Sequence, residues 1–493
     1  MKKSTLLFTT VLVCLLAHAQ TTSTIVTINE TQQKTLSEII AYGLPVVYVQ
    51  TVNGEEPTCE VVYAPAGSWG TTINSENVHG RMTMYSRIAN KDSVLYDSGD
   101  YEKDVSGMSI RIRGNTSANS TATGPKMPYK IKLQKKQDLL FRGVDSVYKD
   151  KEWVLLKDDY LLTSTAFMVS RLVGMNWVPA AHYVNVVLND KYRGIYLLCE
   201  MVKRNPKCRL NVDKNSGFIF ECDIYWWNES VYVTSVDAPS YNYTFKYPDD
   251  EDITEEQLVY MQSLVNAYEA SIPAGTYPEL IDVASFAKWC LVHDIEGTKD
   301  GGGANRYYTK YDTTAQSKIV MPLAWDFDLA ERTPSAWSRC HLVYMGKFFN
   351  NPNPTFVNEF VRAWVRIRNN FKTAADNELI AFANSAQGNA MQSSFHLNNA
   401  AWGVDLWFQN QLLYRRQWLQ QRYDWLDTNI MAMHIPYDVN IDGELNVSDV
   451  TALISMVLGT DDDKLITGDI NEDGQINVTD VTLLINYLIS QPR

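Results

Sequence analysis

Lys299-Asp300-Gly-Gly-Gly-Ala-Asn305 is the first of two elements that decide how the fold is interpreted, and the second is Ile319-Val-Met-Pro-Leu-Ala-Trp-Asp326-Phe-Asp328. The segments Arg306–Lys310 and Lys318–Ala324 predict a hairpin that turns at Asp312–Gln316. Two oxygen ligands from separate elements suit Mg²⁺, which keeps several of its waters. The glycines let the backbone approach a bound ligand closely. Together, the two elements predict a site for a hard cation.

The order of these elements resembles a protein-kinase catalytic loop. In that loop an Asp accepts the proton of the substrate hydroxyl, and an Asn and a second Asp hold Mg²⁺. The chain departs from the pattern, because no His-Arg precedes Asp300 and no Gly follows Phe327. Short strings of this kind also arise from composition alone. A Gly-rich turn beside a buried strand is therefore an equally good interpretation of these residues taken by themselves.

Strand patterns dominate the chain before these elements. Alternating polarity and β-branched residues predict strands over Leu44–Gln50, Ser109–Arg113, Tyr129–Leu133, Trp153–Leu156, Tyr183–Leu188 and Gly194–Glu200. The last two are joined by a turn at Asn189-Asp190. Within Tyr129–Leu133, the period of two places Lys130 and Lys132 on one face and the apolar side chains on the other.

Helical patterns dominate the rest of the chain. An earlier helix is predicted over Ser164–Val173, and Thr254–Gln257 forms a start that resembles a capping box. Longer helical runs are Ala284–Ile295, Phe356–Phe371 and Asp405–Ile430. The layout predicts an α+β chain with a strand-rich first half and a helix-rich second half.

Several of these segments, taken in order, resemble the CotH-type spore-coat protein kinase family. The matching motifs are Arg113-Gly-Asn-Thr-Ser117, Lys126-Met-Pro-Tyr-Lys130-Ile-Lys132-Leu, Trp153-Val-Leu-Leu, Gly194-Ile-Tyr-Leu-Leu-Cys-Glu200, Asp300 to Asn305, and Trp325-Asp326-Phe-Asp328. They span roughly 105–430. The resemblance implies a secreted or surface protein with an atypical, two-lobed kinase-like fold. Such a protein would use ATP with Mg²⁺ or Mn²⁺ to phosphorylate proteins.

The resemblance also implies roles for the acids and the amide of the two elements. Asp300 would be the catalytic-loop carboxylate. Asn305 and Asp326 would be metal ligands, with Asp328 assisting. Phosphoryl transfer depends on such a group because positioning and the neutralisation of phosphate charge supply most of the catalysis.

A further set of residues is implied to bind the nucleotide. These residues are Arg113, Gly114, Asn115, Lys130, Lys132 and Glu200. One of the two lysines would contact the phosphates, the Gly114–Ser117 turn would lie beside them, and Glu200 would lie near the inter-lobe hinge. Two other interpretations stay open, a solvated strand face for the lysines and a strand cap for Glu200. The helix over Ser164–Val173 contains no acid, so it offers no partner for a helix-borne Glu–Lys pair.

The last 57 residues repeat a calcium-loop pattern. Loop positions 1, 3, 5, 9 and 12 carry oxygen side chains, and position 6 is Gly, as in an EF-hand. The predicted Ca²⁺ ligands are Asp438, Asn440, Asp442, Asn446 and Asp449 in the first loop, Asp469, Asn471, Asp473, Asn477 and Asp480 in the second, and the backbone carbonyls of Glu444 and Gln475 at position 7. Two in-register copies, 31 residues apart, argue against a pair of metal-free turns.

Each loop runs into an apolar helix, Val450–Leu458 in the first copy and Val481–Ile489 in the second. The segment resembles a type I dockerin, and Pro436 marks its boundary. The resemblance implies two bound Ca²⁺ ions and docking to a cohesin-type partner through the outer faces of the two helices.

Charge and leader sequence indicate where the protein works. The 493 residues include 44 Lys+Arg and 57 Asp+Glu, a net charge of −13, and nine of these charges fall in Tyr437–Arg493. An acidic chain is a poor nucleic-acid binder, so no such partner is expected. Two lysines, an apolar stretch and Ala17-His18-Ala19 predict a signal peptide over 1–19. The protein is therefore expected outside the cell, at its surface or in the periplasm, and no transmembrane segment is predicted.

The chain has seven cysteines, and removal of Cys14 with the predicted signal peptide would leave six. These six are Cys59, Cys199, Cys208, Cys222, Cys290 and Cys340, with no CxxC pair among them. They predict neither a disulfide scaffold nor a zinc site. Two interpretations stay open: the cysteines form one or two disulfide bridges, or they are isolated buried thiols.

The domains expected are the signal peptide 1–19, a β-rich segment 20–104, a kinase-like domain 105–435 and a dockerin-like domain 437–493. The first functional hypothesis is a secreted, ATP- and Mg²⁺-dependent phosphotransferase attached through its dockerin. The second is a non-catalytic binding or structural component of an extracellular, polysaccharide-degrading assembly. The third is a glycan-active enzyme, because the 13 Trp residues would suit stacking on sugars. Glycosidase chemistry needs a pair of carboxylates, and the sequence shows no hydrolase signature that identifies such a pair.

Overall fold

The computed structural model describes residues 20–68, 70–118, 124–143, 146–237, 240–298, 305–328, 333–459, 466–471 and 473–491. The predicted signal peptide over 1–19 and the predicted catalytic Asp300 lie outside these ranges. The structure contains both strands and helices, so the predicted mixture of α and β structure is confirmed. Within the described ranges, no helix has both the length and the apolar character that crossing a membrane requires.

The elements are numbered in chain order. The strands are β1 Ile25–Thr27, β2 Gln33–Thr35, β3 Val46–Thr51, β4 Glu60–Tyr63, β5 Thr71–Asn74, β6 Val78–Ile88, β7 Lys91–Asp97, β8 Met108–Ile112, β9 Tyr129–Gln137, β10 Asp150–Leu156, β11 Ala181–Leu188, β12 Lys191–Glu200, β13 Phe218–Asp223, β14 Tyr232–Val233, β15 Asn242–Tyr247, β16 Arg306–Lys310 and β17 Ile319–Val320. The helices are α1 Leu36–Ile40, α2 Leu162–Val173, α3 Glu255–Ala274, α4 Val283–Glu296, α5 Gly346–Phe349, α6 Thr355–Asn384, α7 Ala386–Trp402, α8 Phe408–Met431, α9 Val447–Leu458 and α10 Val478–Ser490.

The chain divides into two compact units, each built from separate stretches. The first unit comprises Met1–Ser164, Pro179–Arg209 and Glu378–Arg415. The second unit comprises Thr165–Val178, Leu210–Asn377 and Arg416–Arg493. The predicted order of strands before helices holds only in part. The second unit has a sheet of its own, and the first takes helix α7 from late in the chain.

Seven strands of the first unit form a closed sheet, in the order β10-β9-β8-β6-β3-β11-β12. The sheet closes because β12 pairs with β11 along one edge and with β10 along the other. The closing register runs from Trp153↔Glu200 to Leu156↔Leu197. Asn189 and Asp190 have positive φ angles of 49° and 56°, as a tight β11–β12 hairpin turn requires. The predicted turn at these residues is confirmed.

The interior of the closed sheet is a hydrophobic core. Tyr129, Ile131 and Leu133 of β9 are all buried in it, which confirms their predicted shared face. Trp153 and Leu155 of β10 pack in the same core. Full burial of a large apolar side chain contributes about 1.5–3 kcal/mol. The strand period therefore fixes which side chains point outward, Lys130 and Lys132 among them.

Helices α1 and α7 cover part of the outer face of this sheet. Asn398 of α7 accepts the backbone N–H of Ile195 at 3.0 Å, and the Trp402 indole donates to the carbonyl of Arg193 at 3.1 Å. Between these contacts, Gly194 has a φ of 103°. A Cβ at Gly194 would lie 2.4 Å from Oδ1 of Asn398. The helix therefore packs against β12 at a distance that only glycine permits.

The second unit contains an antiparallel five-stranded sheet, in the order β14-β15-β13-β16-β17. Aromatic side chains of the sheet and of helices α3 and α4 pack together, including Phe220, Tyr243, Tyr268, Phe286 and Tyr308. The predicted hairpin is confirmed by the β16–β17 pairing, although β17 is shorter than expected. Asn305, just before β16, and Asp326, in the segment after β17, therefore belong to the same unit.

The six strands predicted from the sequence are all present, as are the predicted helices. Helix α7 and strands β13–β15 were not predicted. The 17 residues of α7 include three Asn, two Ser and one Gly, which have low helix propensity. Tertiary packing therefore decides this helix rather than local propensity. Within the described residues, none of the six cysteines forms a disulfide bond, in agreement with the isolated-thiol interpretation.

The C-terminal helices α9 and α10 follow the two calcium-loop sequences and belong to the second unit. The Arg362 guanidinium of α6 donates to the backbone carbonyls of Asn440 and Ile441 at 2.8 and 3.0 Å. Asn358, one turn earlier on α6, donates to the carbonyl of Asp442 at 2.7 Å. Helix α6 therefore binds the outer backbone of the first loop.

Substitution of Gly194 by Ala tests the close approach of α7 to β12. We expect Gly194→Ala to lower the free energy of unfolding by more than about 2 kcal/mol, because the added Cβ adds a steric clash to the backbone strain. The control is Gly403→Ala, where φ is 64° and nothing lies within 4 Å of the added Cβ. The control should cost only about 1 kcal/mol. Urea unfolding of both variants measures the difference, and equal costs would contradict the proposed contact.

Candidate functional site

Two of the predicted metal ligands meet within the second unit. Asn305 lies immediately before β16, and Asp326 follows the buried Trp325. The side-chain amide of Asn305 donates a hydrogen bond to Oδ2 of Asp326 at 2.5 Å. Both residues have left-handed backbone, with φ angles of 73° and 69°. Such backbone costs a non-glycine residue about 1–3 kcal/mol and is typical of functional sites, so specific contacts have to hold it in place.

Glu221 of β13 supplies one of these contacts. Its side chain is buried, and Oε1 accepts the backbone N–H of Asn305 at 2.6 Å. Its Oε2 lies 3.1 Å from Nζ of Lys246 on β15. A hydrogen bond to a charged group contributes about 1.5–3 kcal/mol, which is comparable with the strain at Asn305. Neither Glu221 nor Lys246 belongs to the motifs that pointed to a site in the sequence.

Buried charges concentrate around this contact. Burial and, next, the charge of Glu221 raise the pKa of Asp223 to about 7, against the opposing effect of Lys246. Burial lowers the pKa of Lys246, but Glu221 and the other nearby acidic groups together outweigh that effect, and the pKa is raised. Lys246 therefore stays charged and provides the counter-charge to Glu221.

Phe327 anchors the second element between Asp326 and Asp328. It is buried and stacks on His293 of α4, with ring centroids 5.1 Å apart. Burial lowers the pKa of His293 to about 3, so its ring is neutral. Asp328 is exposed. The apolar side of the element is therefore fixed by packing, while the side that carries Asp326 is fixed by hydrogen bonds.

The residues present fit a hard cation such as Mg²⁺ or Mn²⁺. An amide and a carboxylate from two separate elements are already in contact, and Mg²⁺ takes few protein ligands and retains water. The roles of Asn305, Asp326 and Asp328 as metal ligands stay predictions, as does the catalytic role of Asp300.

Lys130 of the first unit pairs with an acid on a neighbouring strand. Its Nζ lies 3.1 Å from Oε1 of Glu152 on β10, and Nζ of Lys203 lies 3.0 Å from Oε2 of the same carboxylate. Burial lowers the pKa of Lys130, and the charge of Glu152 opposes this effect. Burial would raise the pKa of Glu152, but Lys130 and Lys203 outweigh it and lower the pKa to about 2. Lys132 is exposed. Of the two lysines predicted to contact nucleotide phosphates, Lys130 is therefore the one whose position is fixed by an ion pair.

Glu200 is buried at the end of β12 and is held by several groups. Its Oε1 lies 3.0 Å from the guanidinium of Arg142 and 3.8 Å from that of Arg209, and Oε2 accepts the backbone N–H of Ala180 at 3.0 Å. These contacts fit an internal ion-pair network. The predicted place of Glu200 near a nucleotide stays a prediction.

The predicted phosphate-side turn follows β8 in the first unit. Gly114 has a φ of 97°, and a Cβ there would lie 2.3 Å from Oγ of Ser117. Asn115 accepts a hydrogen bond from the Thr72 hydroxyl at 2.6 Å, and the backbone N–H of Arg113 donates to Pro128 at 3.1 Å. The turn requires glycine, and its predicted role with phosphate stays a prediction.

The two C-terminal loops share one hydrogen-bonding pattern. In the first loop, Asp438 accepts the backbone N–H groups of Asp442 and Gly443 at 3.1 and 2.8 Å. In the second loop, Asp469 accepts those of Asp473 and Gly474 at the same two distances. Gly443 and Gly474 have φ angles of 86° and 84°, as position 6 of such a loop requires.

Position 12 of each loop also belongs to the helix that follows. Asn446 caps α9 and Asp449 completes its capping box, while Asn477 and Asp480 do the same for α10. Both of these aspartates are fully buried. A position-12 carboxylate at the third helical residue therefore serves the loop and the helix start together.

The predicted ligands of the first loop fit Ca²⁺. Burial raises the pKa of Asp438, and the charges of Asp449 and Asp442 raise it further against the opposing backbone hydrogen bonds. A cation favours the ionised form and removes this repulsion. The remaining predicted ligands lie in the same two loops, namely Asn440, Glu444, Asn471 and Gln475.

A separate buried group of Cys290, Asp294 and His341 has its ligand atoms within 4.8 Å of one another. Its carboxylate is already occupied. Oδ2 of Asp294 lies 2.8 Å from Nδ1 of His341, and Oδ1 accepts the backbone N–H of Ser338 at 2.9 Å. These contacts satisfy Asp294 without a cation, so the group is better explained as an internal polar cluster.

Four functional candidates were missed by sequence reasoning: Glu152, Lys203, Glu221 and Lys246. Glu152 lies immediately before the predicted strand Trp153–Leu156, and extending that strand by one residue would place it on the face opposite to Trp153. The strand register that places it beside Lys130 is a tertiary property. Glu221 lies in β13, which the sequence patterns did not reveal.

Comparison with known families gives two matches. The model of the CotH kinase protein family matches residues 110–426, and the model of the dockerin type I domain matches residues 436–489. A search among curated proteins finds no match.

Replacement of Glu152 by Gln tests the Lys130–Glu152–Lys203 contact. We expect the free energy of unfolding to fall by about 2 kcal/mol at pH 7, because two lysines lose their shared counter-charge. The folded pKa of about 2 lies below the ordinary value of 4.5. Stabilisation by the Glu152 charge is therefore fully present above pH 4.5 and is lost as the pH falls toward 2.

The measurement is urea unfolding of the wild type and Glu152→Gln across this pH range. The difference between them should stay constant from about pH 7 to 5 and narrow in more acidic solution. Glu60→Gln, at an exposed position on β4, is the matched control and should change stability by less than about 0.5 kcal/mol. A difference that widens on acidification would contradict the assignment.

Proposed function

The chain belongs to the CotH kinase protein family and carries a type I dockerin domain, and from this premise we propose that it is a phosphotransferase that uses ATP with Mg²⁺ or Mn²⁺ to phosphorylate proteins. The observation that carries the proposal is the Asn305–Asp326 pair, held in left-handed backbone by a hydrogen bond. Residues with strained backbone cluster at active sites and ligand clamps, and an amide and a carboxylate side by side offer oxygen ligands to a hard cation.

In this proposal the chain has the atypical, two-lobed kinase-like fold that the family resemblance implies. Lys130, steadied by Glu152, would contact the nucleotide phosphates. Asn305 and Asp326 would hold the metal, with Asp328 assisting. The bound metal would neutralise phosphate charge. Asp300 would accept the proton of the attacking hydroxyl group.

The dockerin implies a cohesin-type partner, and type I dockerins typically bind Ca²⁺. We propose that the protein is secreted and is held in an extracellular or surface assembly through this domain. The proposal rests on the two loops with matching hydrogen bonds, each of which opens directly into a capped helix. A phosphotransferase held in this way would act on proteins of the same assembly.

Asp326→Asn tests the enzymatic proposal in the mature full-length protein. Asn keeps the size of Asp and tolerates left-handed backbone, so the change removes mainly one charge. We expect transfer of labelled phosphate with Mg²⁺ or Mn²⁺ to fall at least about 100-fold.

The matched control is Asp312→Asn. Asp312 caps the turn of the β16–β17 hairpin through Thr314, and its variant should keep the wild-type rate. If the wild type neither binds nucleotide nor transfers phosphate with either metal, the proposal fails and the non-catalytic alternative takes its place. Release of depolymerised glycan would instead support a glycan-active enzyme.

Calorimetric titration tests the calcium loops. We expect about two Ca²⁺ ions per chain, as two complete loops predict. Asp438→Ala and Asp469→Ala should each remove one site, and the double variant should remove both, so each single variant controls for the other. Protease resistance of α9 and α10 that is unchanged in chelator would contradict a role for Ca²⁺.

A further inference from the structure

We propose that Glu221 is the positioning residue of the metal site in the second unit, acting through the backbone of Asn305. This inference rests on the proposed function, since it assigns a residue to the same site. Neither the sequence patterns nor the family resemblance singled out Glu221.

The first observation is where the β13–β16 ladder ends. The register pairs Glu221 with Tyr307 and Cys222 with Arg306, and Arg306 is the first residue of β16. At Asn305 the backbone leaves the extended conformation and takes a φ of 73°. Its N–H is then accepted by Oε1 of Glu221 at 2.6 Å. A buried carboxylate thus takes over where strand pairing stops.

The second observation is that the same residue carries the contact to Asp326. The side-chain amide of Asn305 reaches Oδ2 of Asp326 from this left-handed backbone. A change in φ would swing the amide away from that carboxylate. Glu221 therefore fixes the direction of the Asn305 side chain through the backbone N–H of Asn305.

The third observation is that Glu221 is itself restrained. It is 4% exposed, and its other oxygen pairs with Lys246 at 3.1 Å. Lys246 lies on β15, which pairs with β13 on the side opposite to β16. Three neighbouring strands therefore take part in orienting one predicted ligand. Outer residues that orient metal ligands typically change metal affinity about 10–100-fold when they are removed.

The experiment is a titration of Mn²⁺ into the full-length protein, followed by electron paramagnetic resonance. Saturating Ca²⁺ occupies the dockerin loops, and no nucleotide is added, so the readout is metal affinity rather than activity. We expect Glu221→Ala to weaken Mn²⁺ binding about 10–100-fold. Glu221→Gln, which keeps an accepting oxygen, should recover part of this loss.

Glu269→Gln is the matched control for the loss of a buried carboxylate. Glu269 is buried in the same unit and accepts the backbone N–H groups of Val236 and Asp237 at 2.8 and 3.2 Å. Its variant should lose thermal stability but keep the wild-type affinity for Mn²⁺. If Glu269→Gln weakens Mn²⁺ binding as much as Glu221→Gln does, the inference is overturned.

A double-mutant cycle with Asn305→Gly isolates the positioning role. Glycine adopts positive φ freely and carries no ligand, so Glu221→Ala should cause no further loss of Mn²⁺ affinity in this background. A further loss as large as in the wild type would show that Glu221 acts by another route and would overturn the inference. Glu221→Gln serves in the same cycle if the alanine variant does not fold.

Asp326→Asn separates this inference from the proposed function. If Asp326→Asn binds Mn²⁺ as tightly as the wild type, the proposed metal site is wrong and the inference falls with it. If Asp326→Asn weakens binding while both Glu221 variants match the wild type, only the positioning role is wrong.

Discussion

The pairing of β12 along both of its edges is the constraint on which the first unit depends. A strand bonded to β11 on one side and to β10 on the other closes the sheet, and closure fixes the facing of every strand in it. Once Tyr129 and Trp153 point inward, Lys130 and Glu152 have to point outward, on adjacent strands. The Lys130–Glu152 contact is thus a consequence of a hydrophobic core. It requires no helix to bring the acid to the lysine.

In the second unit, by contrast, the candidate metal ligands lie where regular secondary structure ends. Asn305 is the residue at which a ladder stops, and Asp326 lies in the segment after β17, next to Phe327, which is anchored on His293. Both have left-handed backbone, which is uncommon for residues other than glycine. Rigid neighbours hold it in place: buried Glu221 paired with half-buried Lys246 on one side and an aromatic core on the other. The strain is local, and the sheet around it is regular.

The sequence predicted the elements that follow simple periods, and it failed where distant packing decides. The alternation in β9 and the hairpin at Asn189-Asp190 were found because their signals are local. Closure of the sheet was not found, because it depends on the register between β10 and β12. Helix α7 was missed because weak helix formers are held there by contacts to β12 around Gly194. Of the candidate site, the Asn305–Asp326 proximity followed from motif order, whereas Glu221 required the position of an unpredicted strand.

The contact between α6 and the first calcium loop has a mechanical consequence. A protein tethered through its dockerin is pulled whenever its partner moves. Arg362 and Asn358 bind three successive carbonyls of the loop, at residues 440–442. Tension applied to the dockerin would therefore be shared between the covalent chain and these hydrogen bonds, which lead directly into a 30-residue helix.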